Sequence, residues 1–271
     1  MRKRLFSAFL LIGLLGSFLS VRPAYAQLPE ERVADVNRHL WLVHNGNVRF
    51  SERWSVSTEA QVRRTSFGRE PQQNLVRGAL DYHVSKNLIL SAGYAFQKSF
   101  PYGDFPAAGR SIENRLQQQV VLRDLDGRVQ VQHRYRLEQR WVRREPETDF
   151  QFTNRMRYQV RLALPLLGPR IKPGMPYLAA SNEVMINFGS NVRRNIFDQN
   201  RLFAGVGYQA SKLLTLEGGY LNQLVQHGSG RVLEHNHTLQ LSLNLNLDLR
   251  AEAPAPAPLP TPAPVVEGAS E

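Results

Sequence analysis

Residues 128–164 read RVQVQHRYRLEQRWVRREPETDFQFTNRMRYQVRLAL, and their two-residue rhythm decides the fold. In the first half Val131, His133, Tyr135, Leu137 and Trp141 take the odd positions, and Gln132, Arg134, Arg136, Glu138 and Arg140 take the even ones. In the second half Phe152, Met156, Tyr158, Val160, Leu162 and Leu164 share one face, while Thr153, Arg155, Arg157, Gln159 and Arg161 share the other. A helix would scatter these arginines around its circumference. A period of two collects them into one stripe, so the segment predicts two long strands joined by a charged loop. The stripe then faces either bulk water or the inside of a barrel whose outer surface is apolar.

The same rhythm recurs along the chain. Trp54, Val56, Thr58, Ala60 and Val62 alternate with Ser55, Ser57, Glu59, Gln61 and Arg63, and Leu239 to Leu249 alternate with Thr238 to Asp248. In all, roughly eleven strands of about ten residues are expected, the length of a tilted membrane strand. Links after strands one, three, five and nine read as tight. Those after two, four, six, eight and ten are mostly longer, including a polar loop over Thr65–Gln73. Short turns on one rim and longer loops on the other suit an outer-membrane barrel. The fold class expected is therefore all-β, an antiparallel up-and-down transmembrane β-barrel of about 10–12 strands. Eleven is the wrong parity for such a barrel, so a missed strand near the amino terminus or a merged pair is anticipated.

Composition bounds the rest. The 271 residues contain no cysteine, which excludes a disulfide framework and a cysteine-anchored lipoprotein terminus, and the net charge is +11. Arg2, Lys3 and Arg4 precede the apolar run Leu5–Leu19, and Ala24-Tyr25-Ala26 forms an A-x-A cleavage site. Residues 1–26 therefore read as a signal peptide, 27–36 as a polar lead-in, 37–250 as the barrel, and 251–271, rich in proline and alanine, as a disordered tail. An exported basic chain points to anionic lipid head groups or anionic solutes rather than nucleic acid. The partners expected are outer-membrane lipid and lipopolysaccharide, the barrel-insertion machinery and small anionic solutes. The location expected is the cell outer membrane of a Gram-negative-type envelope.

With the apolar faces outward, the polar faces meet the lumen. The lumen-lining candidates are Glu113, Arg115, Arg134, Arg136, Glu138, Arg140, Arg155, Arg157, Arg161, Glu183, Arg201 and Glu217. Eight arginines against four glutamates leave a surplus of about four positive charges. Two readings of that set stand side by side: a ladder of Arg–Glu pairs that fills the barrel, or an anion-attracting passage or ligand pocket. Trp41, Trp54, Tyr82, Tyr94, Trp141 and Tyr208 are read as head-group-level aromatics.

Catalytic signatures are thin, with no G-x-S-x-G elbow, H-E-x-x-H motif or phosphate loop. His227, His235 and His237 read as strand-end decoration rather than a metal site. No cofactor and no enzyme activity are expected. The alternatives are a lipid-hydrolysing barrel, assembled from Ser, His and an acid on separate strands, and a soluble exported β-barrel or sandwich.

Several segments, in order, carry a resemblance: Glu113-Asn114-Arg115-Leu116, Tyr135-Arg136-Leu137-Glu138-Gln139-Arg140, Asn154-Arg155-Met156-Arg157-Tyr158, Asn182-Glu183, Phe197-Asp198-Gln199-Asn200-Arg201 and Gly219-Tyr220-Leu221-Asn222. From Trp41 to Leu249 the chain resembles an uncharacterised family of outer-membrane barrels catalogued as domain of unknown function 2490. The resemblance implies a barrel and an outer-membrane location, and no activity. The chain departs from the usual barrel ending, an aromatic residue on the last strand, by continuing into a proline-rich tail.

Overall fold

The computed structural model describes residues 33–250 apart from residue 108. The leader at 1–26, the first part of the lead-in and the tail at 251–271 lie outside these residues.

The strands are β1 (Val33–Arg49), β2 (Trp54–Thr65), β3 (Glu70–His83), β4 (Leu88–Ser99), β5 (Ser111–Asp124), β6 (Gln130–Arg144), β7 (Gln151–Pro165), β8 (Met175–Phe188), β9 (Phe197–Gln209), β10 (Leu214–Gln226) and β11 (Val232–Asp248). Each pairs with its sequence neighbours, and β1 pairs with β11 to close the barrel. An up-and-down ring of odd strand number must bring its first and last strands together pointing the same way. Here β1 and β11 run parallel over their full lengths, from Val33 opposite Val232 to Arg49 opposite Asp248. The expected parity fault is thereby corrected: eleven strands are present, and the parallel pair resolves the mismatch. Following partners once round the ring returns to β1 displaced by about 14 residues, a stagger that tilts the strands by about 45°.

Three boundaries differ from those read in the sequence. The lead-in ends at residue 32, because Val33–Val36 pair with β11. The last strand begins at Val232 for the same reason. The polar loop after β2 shrinks to residues 66–69, since Glu70 and Pro71 pair with Thr65 and Arg64 across a bulge. Proline has no N–H to give to a ladder, and the irregular register there accommodates it. Links 66–69, 100–110, 145–150, 189–196 and 227–231 form one rim, the long-loop rim. Links 50–53, 84–87, 125–129, 166–174 and 210–213 form the other, the short-turn rim.

The side-chain pattern is inside-out. Leu239 is 52% exposed and Val76 55%, with Leu42, Leu80, Leu116, Met156, Leu178, Ile186, Leu202, Val206, Leu216, Leu241 and Leu243 similarly placed on the outer wall. Arg136 is 3% exposed and Glu138 1%, both inside. Several polar residues on the outer wall bond one another: Gln139 donates to Gln118 at 3.1 Å, Asn182 and Asn200 exchange bonds at 3.2 and 3.3 Å, and the Tyr94 hydroxyl donates to Asn114.

Candidate functional site: the lumen

Alternation on β5–β9 sends every one of the twelve lumen-lining candidates except Glu217 inward, and β10 supplies Glu217. Ten of the twelve join one network. Glu113 accepts from Arg115 and from Arg140. Arg140 also donates to Asn187 at 3.3 Å, and Asn187 donates to Asp198 at 3.1 Å. Asp198 pairs with Arg155 at 2.8 Å, and Arg155 pairs with Glu138 at 2.6 Å. Glu138 meets Arg157 at 2.8 Å and Arg136 at 3.9 Å. Arg157 in turn holds both oxygens of Glu183 at 2.8 Å, and Glu183 takes Arg134 at 2.7 Å and Arg201 at 3.8 Å. Arg161 and Glu217 stand apart as a separate pair, with the Tyr177 hydroxyl donating to Glu217 at 3.2 Å. Such close, multiply bonded geometry is what a buried charge requires.

The balance of eight arginines against four glutamates changes on both sides, since Arg63, Arg77 and Arg123 also face inward. Acids outside the predicted set also point inward: Glu59 pairs with Arg77, Asp198 with Arg155, and Asp81 accepts from Ser57 at 3.2 Å and Ser55 at 3.4 Å. Asp198 escaped notice because β9 is bulged there. Met185 faces Gln199 and Ile186 faces Phe197, so Asp198 is the extra residue and its carboxylate turns inward. The bulge beside Arg63 and Arg64 does the same for Gln72.

Trp41 is not an outer aromatic. It is 2% exposed in the lumen, with Tyr177, Ala179, Phe203 and Leu221. Its indole N–H donates to Gln72 at 3.0 Å. The Arg63 guanidinium lies 3.9 Å from its ring centre and that of Arg201 5.1 Å. Stacking of this kind contributes about 0.5–2 kcal/mol, and it gives Arg63, which has no carboxylate partner among the described residues, a favourable surface. Trp54 and Tyr82 do pack together beside the short-turn rim, and Trp141 packs on Phe152 toward the long-loop rim.

The β4–β5 link folds back into the long-loop mouth. There Tyr102 stacks edge-on against His39 at 5.4 Å and its hydroxyl donates to Glu234 at 3.0 Å. His227, in the β10–β11 link, also bonds Glu234, which raises its imidazole pKa above the ordinary value. Burial pushes the Tyr102 phenol pKa up. His235 and His237 lie on the opposite, outer side of β11, and His237 bonds Tyr220. Among the described residues no group of three or more such side chains is placed to hold a metal ion.

What remains open inside is divided. A chamber of about 550 Å³ opens toward the short-turn rim, and one of about 280 Å³ lies beneath the β4–β5 link. Glu59, Gln61, Arg77, Arg157 and Arg201 line both and separate them. Ser55 and His83 lie 2.9 Å apart, but Ser55 is fully buried and Asp81 bonds hydroxyls rather than the imidazole. That arrangement lacks the base-orienting contact of a hydrolase triad.

Fold and interior together define a closed, inside-out β-barrel with a charge-laddered lumen. A family model described as protein of unknown function (DUF2490) matches residues 38–234, and the chain belongs to that family. It is also similar to an uncharacterised protein of Methylorubrum extorquens, 30% identical over 167 residues that cover 60% of this chain and 68% of that protein. No solved structure matches it.

Proposed function

We propose that the protein is an outer-membrane β-barrel whose main role is structural, with a lumen held shut by its ion ladder rather than an open pore. The observation that carries this reading is the sidedness of the wall: aliphatic side chains outside, guanidinium and carboxylate groups inside. In water, so continuous an exposed apolar surface would drive association, whereas in lipid it is the solvated face. A closed barrel also leaves no sheet edge, and that suits a medium in which backbone groups find no water. Its partners are then membrane lipid, lipopolysaccharide and the machinery that inserts barrels. Support for the shut lumen comes from the Arg157–Glu183–Glu138 cluster between the two chambers and from the Tyr102 link over the long-loop mouth.

Fractionation of cells producing the full chain tests location: recovery in the outer-membrane fraction, with a band that shifts on boiling in detergent, is expected. Recovery as a soluble periplasmic protein would refute the reading. Planar-bilayer recording tests closure, for which little or no steady current is expected. Sustained anion-selective current would instead favour a channel.

A further inference from the structure

We propose that the larger chamber binds a small soluble polyhydroxylated anion, a phosphorylated sugar in chemical class, entering from the short-turn rim. The inference rests on the barrel reading only for the side from which solute arrives.

The ladder does not use all of its cations evenly. The larger chamber is lined by seven arginines against four carboxylates, and those arginines differ in how fully they are paired. Among the described residues Arg123 has no carboxylate partner and donates only to Gln132, at 3.0 Å. Arg136 gives its two nearest bonds to Gln119, at 2.6 and 2.9 Å, and Glu138 is 3.9 Å away. The Arg134 Nε is buried with no hydrogen-bond partner among the described residues. An unpaired buried donor on a cation costs free energy that an oxyanion would recover.

The wall across the chamber has different chemistry. In the ring of eleven, β5–β7 stand opposite β11, β1 and β2. There the chamber is lined by Asn45, Asn47, Gln240, Ser242, Asn244 and Asn246, neutral donors and acceptors, beside Glu59 of β2, whose charge is taken up by Arg77. Asn45 and Asn244 bond each other at 2.8 Å, which presents two amides at one spot. One wall therefore suits a phosphate and the opposite wall suits hydroxyl groups. A volume of about 550 Å³ is ample for a hexose phosphate and lies within the usual range of ligand pockets. The chamber lies inside the wall, away from the apolar outer surface, so the acyl chains of a lipid have no path to follow the head group. This favours a free solute over a phosphorylated glycolipid.

Calorimetry on the purified full chain in detergent, with glucose 6-phosphate, inorganic phosphate and glucose as probes, tests the assignment independently of membrane location. Glucose 6-phosphate is expected to bind below about 1 mM and about tenfold more tightly than either single-feature probe. The double variant R123Q/R134Q should weaken both phosphate-bearing probes about tenfold. N45A/N244A should weaken glucose 6-phosphate alone. The boiling-dependent gel shift confirms that each variant is folded, and N45A/N244A removes no charged partner, so it serves if R123Q/R134Q fails to fold. With Trp54 and Trp141 changed to Phe, the emission of Trp41, which lines the chamber, should saturate at the same concentration. Overturning results would be no binding of glucose 6-phosphate at about 10 mM by folded protein, phosphate bound as tightly as the sugar phosphate, or binding unchanged in both variants. Stronger competition from phosphatidylinositol 4-phosphate in mixed micelles would overturn the assignment to a soluble solute.

Discussion

Glu183 accepts from Arg134 and Arg157 and lies 3.8 Å from the Arg201 guanidinium, so its neutral replacement would leave three buried guanidinium groups short of a counter-charge. Breaking a buried pair in this way costs about 3–5 kcal/mol. Glu183→Gln should therefore lower the urea midpoint of the refolded barrel far more than Lys86→Ala, which removes an exposed pair with Asp126 and should change nothing measurable. Equal effects of the two substitutions would show that the ladder does not hold the barrel together. His227 supplies a pH test. Its raised folded pKa means that the bond to Glu234 contributes fully below the unfolded value of about 6.5 and fades as pH climbs through the folded value. Tyr102, Asn236 and Asp35 are its other polar surroundings there. Amide exchange in residues 227–231, corrected for intrinsic rate, should be slower at pH 6 than at pH 8. The His227→Gln variant should lose this difference.

Between neighbouring strands, small and large residues fit by register. Tyr177 lies directly across from Gly207, and a Cβ at Gly207 would fall inside the tyrosine ring. Gly207→Val should displace Tyr177, break its bond to Glu217 and destabilise the barrel by about 1–3 kcal/mol, as read from denaturant unfolding. In a Tyr177→Ala background the same change should cost much less, because the two residues compete for one space. A full additive penalty there would contradict the packing described. At this scale the sequence was legible wherever alternation is unbroken. The stripes of β6 and β7 gave the inward faces of Arg134, Arg136, Arg155 and Arg157 directly. It was illegible where register, not pattern, decides. Asp198 and Gln72 turn inward through bulges that alternation cannot reveal, and Trp41 looked like a head-group residue because nothing local announces that Arg63 and Arg201 converge on it. Glu59, Arg77 and Asp81 kept good alternation, but their pairing depends on the β2–β3 register, which sets Glu59 opposite Arg77 and Asp81 opposite Ser55. The strand ends at Val33 and Val232 were hidden for a related reason: each is short and shows no sustained alternation alone, and each is a strand because the other is there.

For the molecule as a whole, the inner ladder and the β4–β5 link are two separate closures. Removing residues 101–107 should leave the barrel intact by gel shift, since these residues belong to no strand. It should uncover the smaller chamber without opening a through path, because Arg157 and Arg201 still separate the two spaces. Combining that deletion with Arg157→Ala should produce bilayer current, and current from the deletion alone would show that the link is the main barrier. The odd strand count has one more effect. In an even ring the polypeptide comes home to the side from which it set out. Here Val33 starts at one mouth and Asp248 finishes at the other, so a barrel of this kind set through a membrane would act as a rivet. Markers fused ahead of the first strand and behind the last would be readable only from opposite faces of any sheet the ring perforates.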